Sequence, residues 1–274
     1  MRNTKAKIYA LFIVITAVVA CVSRFFLFSE TLNDSAHSSN ILLYSVYLFM
    51  VLSAVFSALY ASCAKKNAKT FDFEQAPKGI YITSLALSVT FFYDFLHQGY
   101  NCYKYLTGAD YTDYTYLVPV LIGCVSALVC CFYYITVAAT AKNTNYDFRN
   151  FTLLHFVPLV WALSKLFLIM FKIVDITENI DMACEFVLLC ALMCFLFSMI
   201  SAIDKKEDSA TRVFIFSCVF LGCMALVVGV PRIASLVFYG AKLTSVTYSA
   251  VTYIMLGAFS LSLLKDLNKR SKLN

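Results

Sequence analysis

The sequence predicts an all-α integral membrane protein: a bundle of about eight transmembrane helices, with the further expectation that they form four pseudo-repeated helical hairpins. Three observations carry this. Eight apolar runs, at about 8–28, 41–63, 80–96, 116–139, 151–173, 182–203, 213–238 and 246–264, are each close to the roughly 20 residues that cross a hydrocarbon core. Hydrophobic residues make up 61% and charged residues 14% of the 274 residues, and the mean hydropathy is +0.77, too apolar for a soluble domain. The basic residues fall in alternate segments between the runs. Strands of alternating polarity are absent, so the runs are read as helices of a single polytopic domain over 1–274.

The first run, 8–28, follows a basic segment with Arg2, Lys5 and Lys7. Val18, Val19, Ala20 and Cys21 look like a bacterial lipobox with Cys21 as the lipid-carrying residue. The chain nevertheless stays apolar through Phe25 and Phe28, so a spanning helix is expected there. Arg24 lies towards its far end and, taken alone, reads as an interfacial anchor. The second run, 41–63, opens with Tyr44 and Tyr47.

The third run, 80–96, carries the most polar residues. Thr83, Thr90, Asp94, His97 and Asn101 are spaced so that one side of a helix becomes a polar stripe, with Gln98 at its margin. Such a stripe is expected to avoid lipid. His97 lies three residues from Asp94 and could act with it as an acid or base, but hydrogen bonding at headgroup level is the expected role. Tyr93, Tyr100, Tyr103, Tyr105, Tyr111, Tyr114 and Tyr116 then crowd the way into the fourth run, as an aromatic belt or, more sharply, a ligand-stacking lid.

The fourth run, 116–139, contains Cys124, Cys130 and Cys131, placed as small apolar packing residues. In the fifth, 151–173, Pro158, Trp161, Lys165, Leu168 and Lys172 share a helical face. A lysine near the bilayer centre costs roughly 2.5 to 3.5 kcal/mol, so Lys165 should face other helices and have a partner. Asp94 is the best candidate, at comparable depth if the third helix continues through Asn101. The plain alternative is a buried structural ion pair.

The sixth run, 182–203, has Glu185 near its start, where it could anchor at the interface. In the seventh, 213–238, Pro231 should kink the helix and free a nearby carbonyl, and Arg232 follows it directly. The eighth, 246–264, begins with hydroxyl residues including Ser249 and Thr252 and then turns apolar. Arg24, Asp94, Lys165 and Arg232 recur on the odd-numbered helices at intervals of about 70 residues, a period that suggests hairpins around a pseudo-symmetric axis. Any eight evenly spaced helices would give similar intervals.

Of the 22 lysines and arginines, 16 lie in the N-terminal segment, in the three alternate loops and after the last run, whereas the remaining loops hold Lys104 and Lys242 among acidic residues such as Asp34, Asp110, Asp113, Asp175 and Glu178. The positive-inside rule therefore puts both termini in the cytoplasm of a cell membrane. The formal charge of +6 is thus a topology signal; no segment is long enough to form a basic domain for nucleic acid.

Metal and cofactor signatures are missing: no C-x-x-C, H-E-x-x-H, P-loop or dinucleotide fingerprint occurs, and no catalytic residue or cofactor is assigned. Cys102 and Cys184 fall near the same end of their helices and could pair in an oxidising compartment. In general character the chain resembles small multi-pass proteins of bacterial cytoplasmic membranes.

Candidate fixed charges Arg24, Lys165, Lys172 and Arg232 outnumber Asp94 and Glu185. With His97 and Trp161 they are the residues expected to bind a small anionic or zwitterionic solute in a polar cavity open to the outside, for binding or transport. The alternative is a non-transporting regulatory or assembly subunit that binds a partner helix; a lipid-acting membrane enzyme ranks third. The bilayer is the one certain partner of either reading.

Overall fold

The computed structural model describes residues 2–32, 40–63, 78–107, 114–142, 153–172, 180–204, 208–239 and 245–272. They form α1 (Arg2–Leu32), α2 (Asn40–Ser62), α3 (Lys78–Thr107), α4 (Tyr114–Lys142), α5 (Val157–Lys172), α6 (Ile180–Asp204), α7 (Asp208–Tyr239) and α8 (Ser245–Lys272). Each apolar run overlaps one helix and, with the turn Leu153–Phe156 counted with α5, eight helices among the described residues are long and apolar enough to cross a membrane. The protein is an all-helical, multi-pass membrane protein, because in lipid a helix satisfies its own backbone polar groups. Most loop charges that set the expected orientation, among them Lys65, Lys66, Arg149, Asp110 and Glu178, lie outside the described residues.

The third helix differs most from its apolar run. The run stops at Leu96, yet α3 continues through Asn101 to Thr107 and becomes 30 residues long. Hydropathy falls there because of His97, Gln98 and Asn101, but none of these side chains interrupts the backbone ladder. Asp94 consequently sits near mid-helix. The fifth helix begins with Pro158 in its first turn, where a missing N–H has no intrahelical partner to lose, and the turn Leu153–Phe156 leads into it.

The helices group into two compact units. The first comprises α1, α2, α7 and α8; the second comprises α3 to α6. In both, consecutive helices pack as hairpins.

In the first unit α7 touches α1, α2 and α8, which makes it the most enclosed of the eight helices. Its approach to α8 depends on small residues: a Cβ on Gly257 would lie 2.5 Å from that of Ala225. Where the backbones run this close, Ser260 Oγ reaches Cys218 O on α7 at 3.1 Å.

Pro231 lies inside α7 and has no N–H to give to the carbonyl four residues earlier, which belongs to Val227. Arg24 of α1 fills the vacancy: its Nη1 donates to Val227 O at 2.8 Å. Arg24 is 1% exposed and turned into the bundle, so it is no interfacial anchor. Its position is explained by a carbonyl that would otherwise be buried without a donor. Arg232, also buried, reaches the other way, with Nη1 3.5 Å from Ser249 Oγ on α8.

In the second unit α4 packs on α3 and α5, and α5 on α6. Tyr116 near the start of α4 donates to Phe171 O at the end of α5, 2.9 Å away, and so covers one of the last carbonyls that the helix itself leaves open.

The link between Arg24 and Pro231 has a measurable signature. Removal of the guanidinium in Arg24→Met is expected to cost about 1–3 kcal/mol more in the native background than in Pro231→Ala, which restores an N–H for Val227. Unfolding in detergent would read this difference. Equal losses in both backgrounds would show that Arg24 does not serve the proline break.

Candidate functional site

The second unit contains a polar cluster built from two helices. On α3, Asp94 and Gln98 are one turn apart on the buried face; on α5, Trp161 and Lys165 are one turn apart. The two pairs face each other. Lys165 Nζ donates to Asp94 Oδ1 at 2.9 Å. Trp161 Nε1 and Gln98 Nε2 both donate to Oδ2, at 2.7 Å and 2.5 Å. Asp94 therefore accepts three N–H groups from two helices, and the ammonium also stands 5.6 Å from the Trp161 ring centroid.

An ion pair at this depth persists only when its remaining polar groups are also answered. Asp94 meets that condition. Lys165 is less fully used: among the described residues it gives one N–H to the carboxylate and rests on the indole face. Its side chain is 16% exposed and that of Asp94 11%, so the pair is not sealed off.

Helix α4 shapes the cluster from the side. A Cβ on Gly123 would overlap Gln98 Oε1 and stand 2.9 Å from Ser164 Oγ. Glycine at this position lets the Gln98 amide lie against α4 while its nitrogen reaches Asp94. Gln98 is 2% exposed, and its Oε1 has no hydrogen-bond donor among the described residues.

Towards the start of α3 the cluster ends in an aromatic wall. Phe91 meets Trp161 edge-on at 4.9 Å between centroids and stacks on Tyr134 at 5.3 Å. Tyr134 in turn packs against Tyr133, whose hydroxyl pairs with His155 Nδ1 at 3.0 Å. With its N–H on a carboxylate, an ammonium over its ring and Phe91 packed against it, Trp161 has little freedom left.

The residues singled out in the sequence separate clearly. Asp94, Lys165 and Trp161 come together. His97 lies on the neighbouring flank of α3, half-buried, with its Nδ1 3.4 Å from Asn101 Nδ2. The hydrogen bonds to Asp94 come from Lys165, Trp161 and Gln98 rather than from His97. Glu185 lies half-buried on α6 and is not a partner of Lys165. Lys172 belongs to the last turn of α5, and its side chain is outside the described residues. Arg24 and Arg232 belong to the other unit.

Gly123 carries no signal of its own in the sequence, and Gln98 stands there only at the margin of the predicted stripe. The predicted stripe includes Thr83 and Thr90, yet both hydroxyls donate to carbonyls of their own helix. They need no polar neighbour, and the buried face is turned towards Gln98 instead. The position one turn after Asp94 was the available clue.

No three His, Cys, Asp or Glu side chains among the described residues could hold a metal ion together. All described cysteines are free thiols. Cys184 is buried on α6, and the thiol beside Cys102 is that of Cys124.

Searches against protein-family models, curated proteins and solved structures find no match to this chain, so the site is interpreted from its own chemistry.

Proposed function

We propose that the protein binds a small zwitterionic solute at Asp94, Lys165 and Trp161 and carries it across a cell membrane. The observation behind this reading is the incompletely used ion pair: opposite charges from two spanning helices, joined at 2.9 Å, each still partly exposed. A zwitterion offers an ammonium for Asp94 and a carboxylate for Lys165. It exchanges partners within the cluster and adds no net charge to a site of low polarity. A simple anion would have to compete with Asp94 for the lysine and leave a buried carboxylate unpaired, which argues against the broader class of anionic solutes. Trp161 would cover the bound molecule and contribute a cation–π contact to its ammonium.

The excess of Lys and Arg in the N-terminal segment, in alternate loops and after the last run supports a cytoplasmic position for both termini. Asp94 and Lys165 then lie on helices running from inside to outside, with the Thr107 end of α3 external. The composition fits a bacterial cytoplasmic membrane. A reporter that works only in the cytoplasm should be active when fused after Asn274 and silent when inserted at Asp110; activity at Asp110 would reverse the orientation.

The solute reading is tested by thermal shift on the detergent-purified chain. Amino acids and betaines are expected to include at least one compound that stabilises the protein, by roughly 2.7 kcal/mol at about 100 times its Kd. Monocarboxylates and inorganic phosphate should not. Lys165→Met and Asp94→Asn should each abolish the shift. A screen without any zwitterionic hit, together with a stoichiometric protein partner that survives purification, would favour an assembly subunit.

A further inference from the structure

Helices α3 and α4 share the broadest helix contact in their unit, and the side chains of Cys102 and Cys124 are neighbours across it. Cys124 Sγ of α4 lies 3.7 Å from Phe95 O, and a Cβ on Gly99 would come within 3.8 Å of the same sulfur. Phe95, Gly99 and Cys102 occupy one face of α3 at helical spacing, which brings the Cys102 thiol against that of Cys124. Both residues are partly exposed, unlike Cys130 and Cys218 in the core.

The pair also adjoins the polar cluster. Cys102 is one turn beyond Gln98 on α3, and Cys124 directly follows Gly123 on α4. Gln98 and Gly123 are themselves in contact. A covalent tie between the cysteines would therefore fix the register on which the Gln98 bond to Asp94 depends.

We propose that Cys102 and Cys124 are a redox-active pair whose disulfide locks α3 to α4 and holds the Asp94 cluster in the hydrogen-bonded arrangement described above. The oxidant is a disulfide of the small-molecule or exchange-protein class. One cysteine thiolate attacks a sulfur of R–S–S–R, breaks the S–S bond and releases one R–SH; the second cysteine attacks the resulting mixed disulfide and expels the other. Two cysteine S–H bonds are lost, one S–S bond forms between the helices, and the two protons end on two R–SH. The cysteines are oxidised and the external disulfide is reduced. The step does not depend on which solute the cluster binds. On the orientation proposed above, Cys102 lies towards the oxidising side of the membrane.

The test uses the full chain in nanodiscs, treated with oxidised glutathione, alkylated, digested and mapped by mass spectrometry. A peptide linked through Cys102 and Cys124 is expected. It should vanish with dithiothreitol, be lost in Cys102→Ser and in Cys124→Ser, and persist in Cys184→Ser. A link from Cys102 to Cys184, or glutathione adducts alone, would overturn the pairing.

Because Trp161 is the chain's only tryptophan, its fluorescence reports on the cluster directly. Acrylamide quenching should fall at least twofold on oxidation of the native protein and stay unchanged in Cys124→Ser. Equal quenching of the oxidised and reduced native protein would overturn the lock on the site, even if the disulfide forms.

Discussion

A carboxylate placed inside a membrane-spanning helix has no water to meet it, so other side chains must. In α3 that demand comes from Asp94, and the answer organises the surrounding helices. Lys165 and Trp161 arrive from one face of α5 and Gln98 from the next turn of α3. Gly123 leaves room on α4 for the Gln98 amide, and Phe91 packs against the indole. Each contact restricts where α3, α4 and α5 can lie relative to one another. Apolar packing between helices gains little over apolar packing against lipid, so these polar contacts carry much of the specificity within the unit.

The other unit meets the same requirement from the backbone side. Pro231 removes one donor from α7 and leaves the Val227 carbonyl to be answered by Arg24 of α1. In one unit a buried side chain recruits donors; in the other a buried carbonyl recruits a side chain. Both cases turn what would be an unfavourable polar group into a contact between helices distant in sequence. The difference lies in what remains unused. The carbonyl of Val227 has its donor, whereas Lys165 has hydrogen-bonding capacity left and a partly exposed side chain. That residue is where chemistry with a solute is most readily placed.

Much of this architecture is legible in composition. The apolar runs locate all eight helices because length and hydropathy alone decide whether a segment can cross. The continuation of α3 through Asn101 follows from the polar stripe, whereas its further course to Thr107 has no apolar signal, because backbone hydrogen bonding ignores the polarity that ends the run at Leu96. The partner of Lys165 was readable from depth, since few carboxylates lie inside the spans. Gln98 was obscured by Thr83 and Thr90, whose hydroxyls bond to their own helix and do not mark its interior face. Arg24 looked like an interfacial anchor because its acceptor is a backbone oxygen some 200 residues away, created by a proline on another helix. No periodicity within α1 encodes that contact.

The central claim is that Asp94 and Lys165 form one interacting unit inside the protein. A double-mutant cycle with Asp94→Asn and Lys165→Met, read as unfolding free energy in detergent, tests it most directly. Each single change should cost about 3–5 kcal/mol by leaving a buried charge unpaired, and the double variant should recover much of that loss. Additive losses would contradict the pairing on which the account of the site is built.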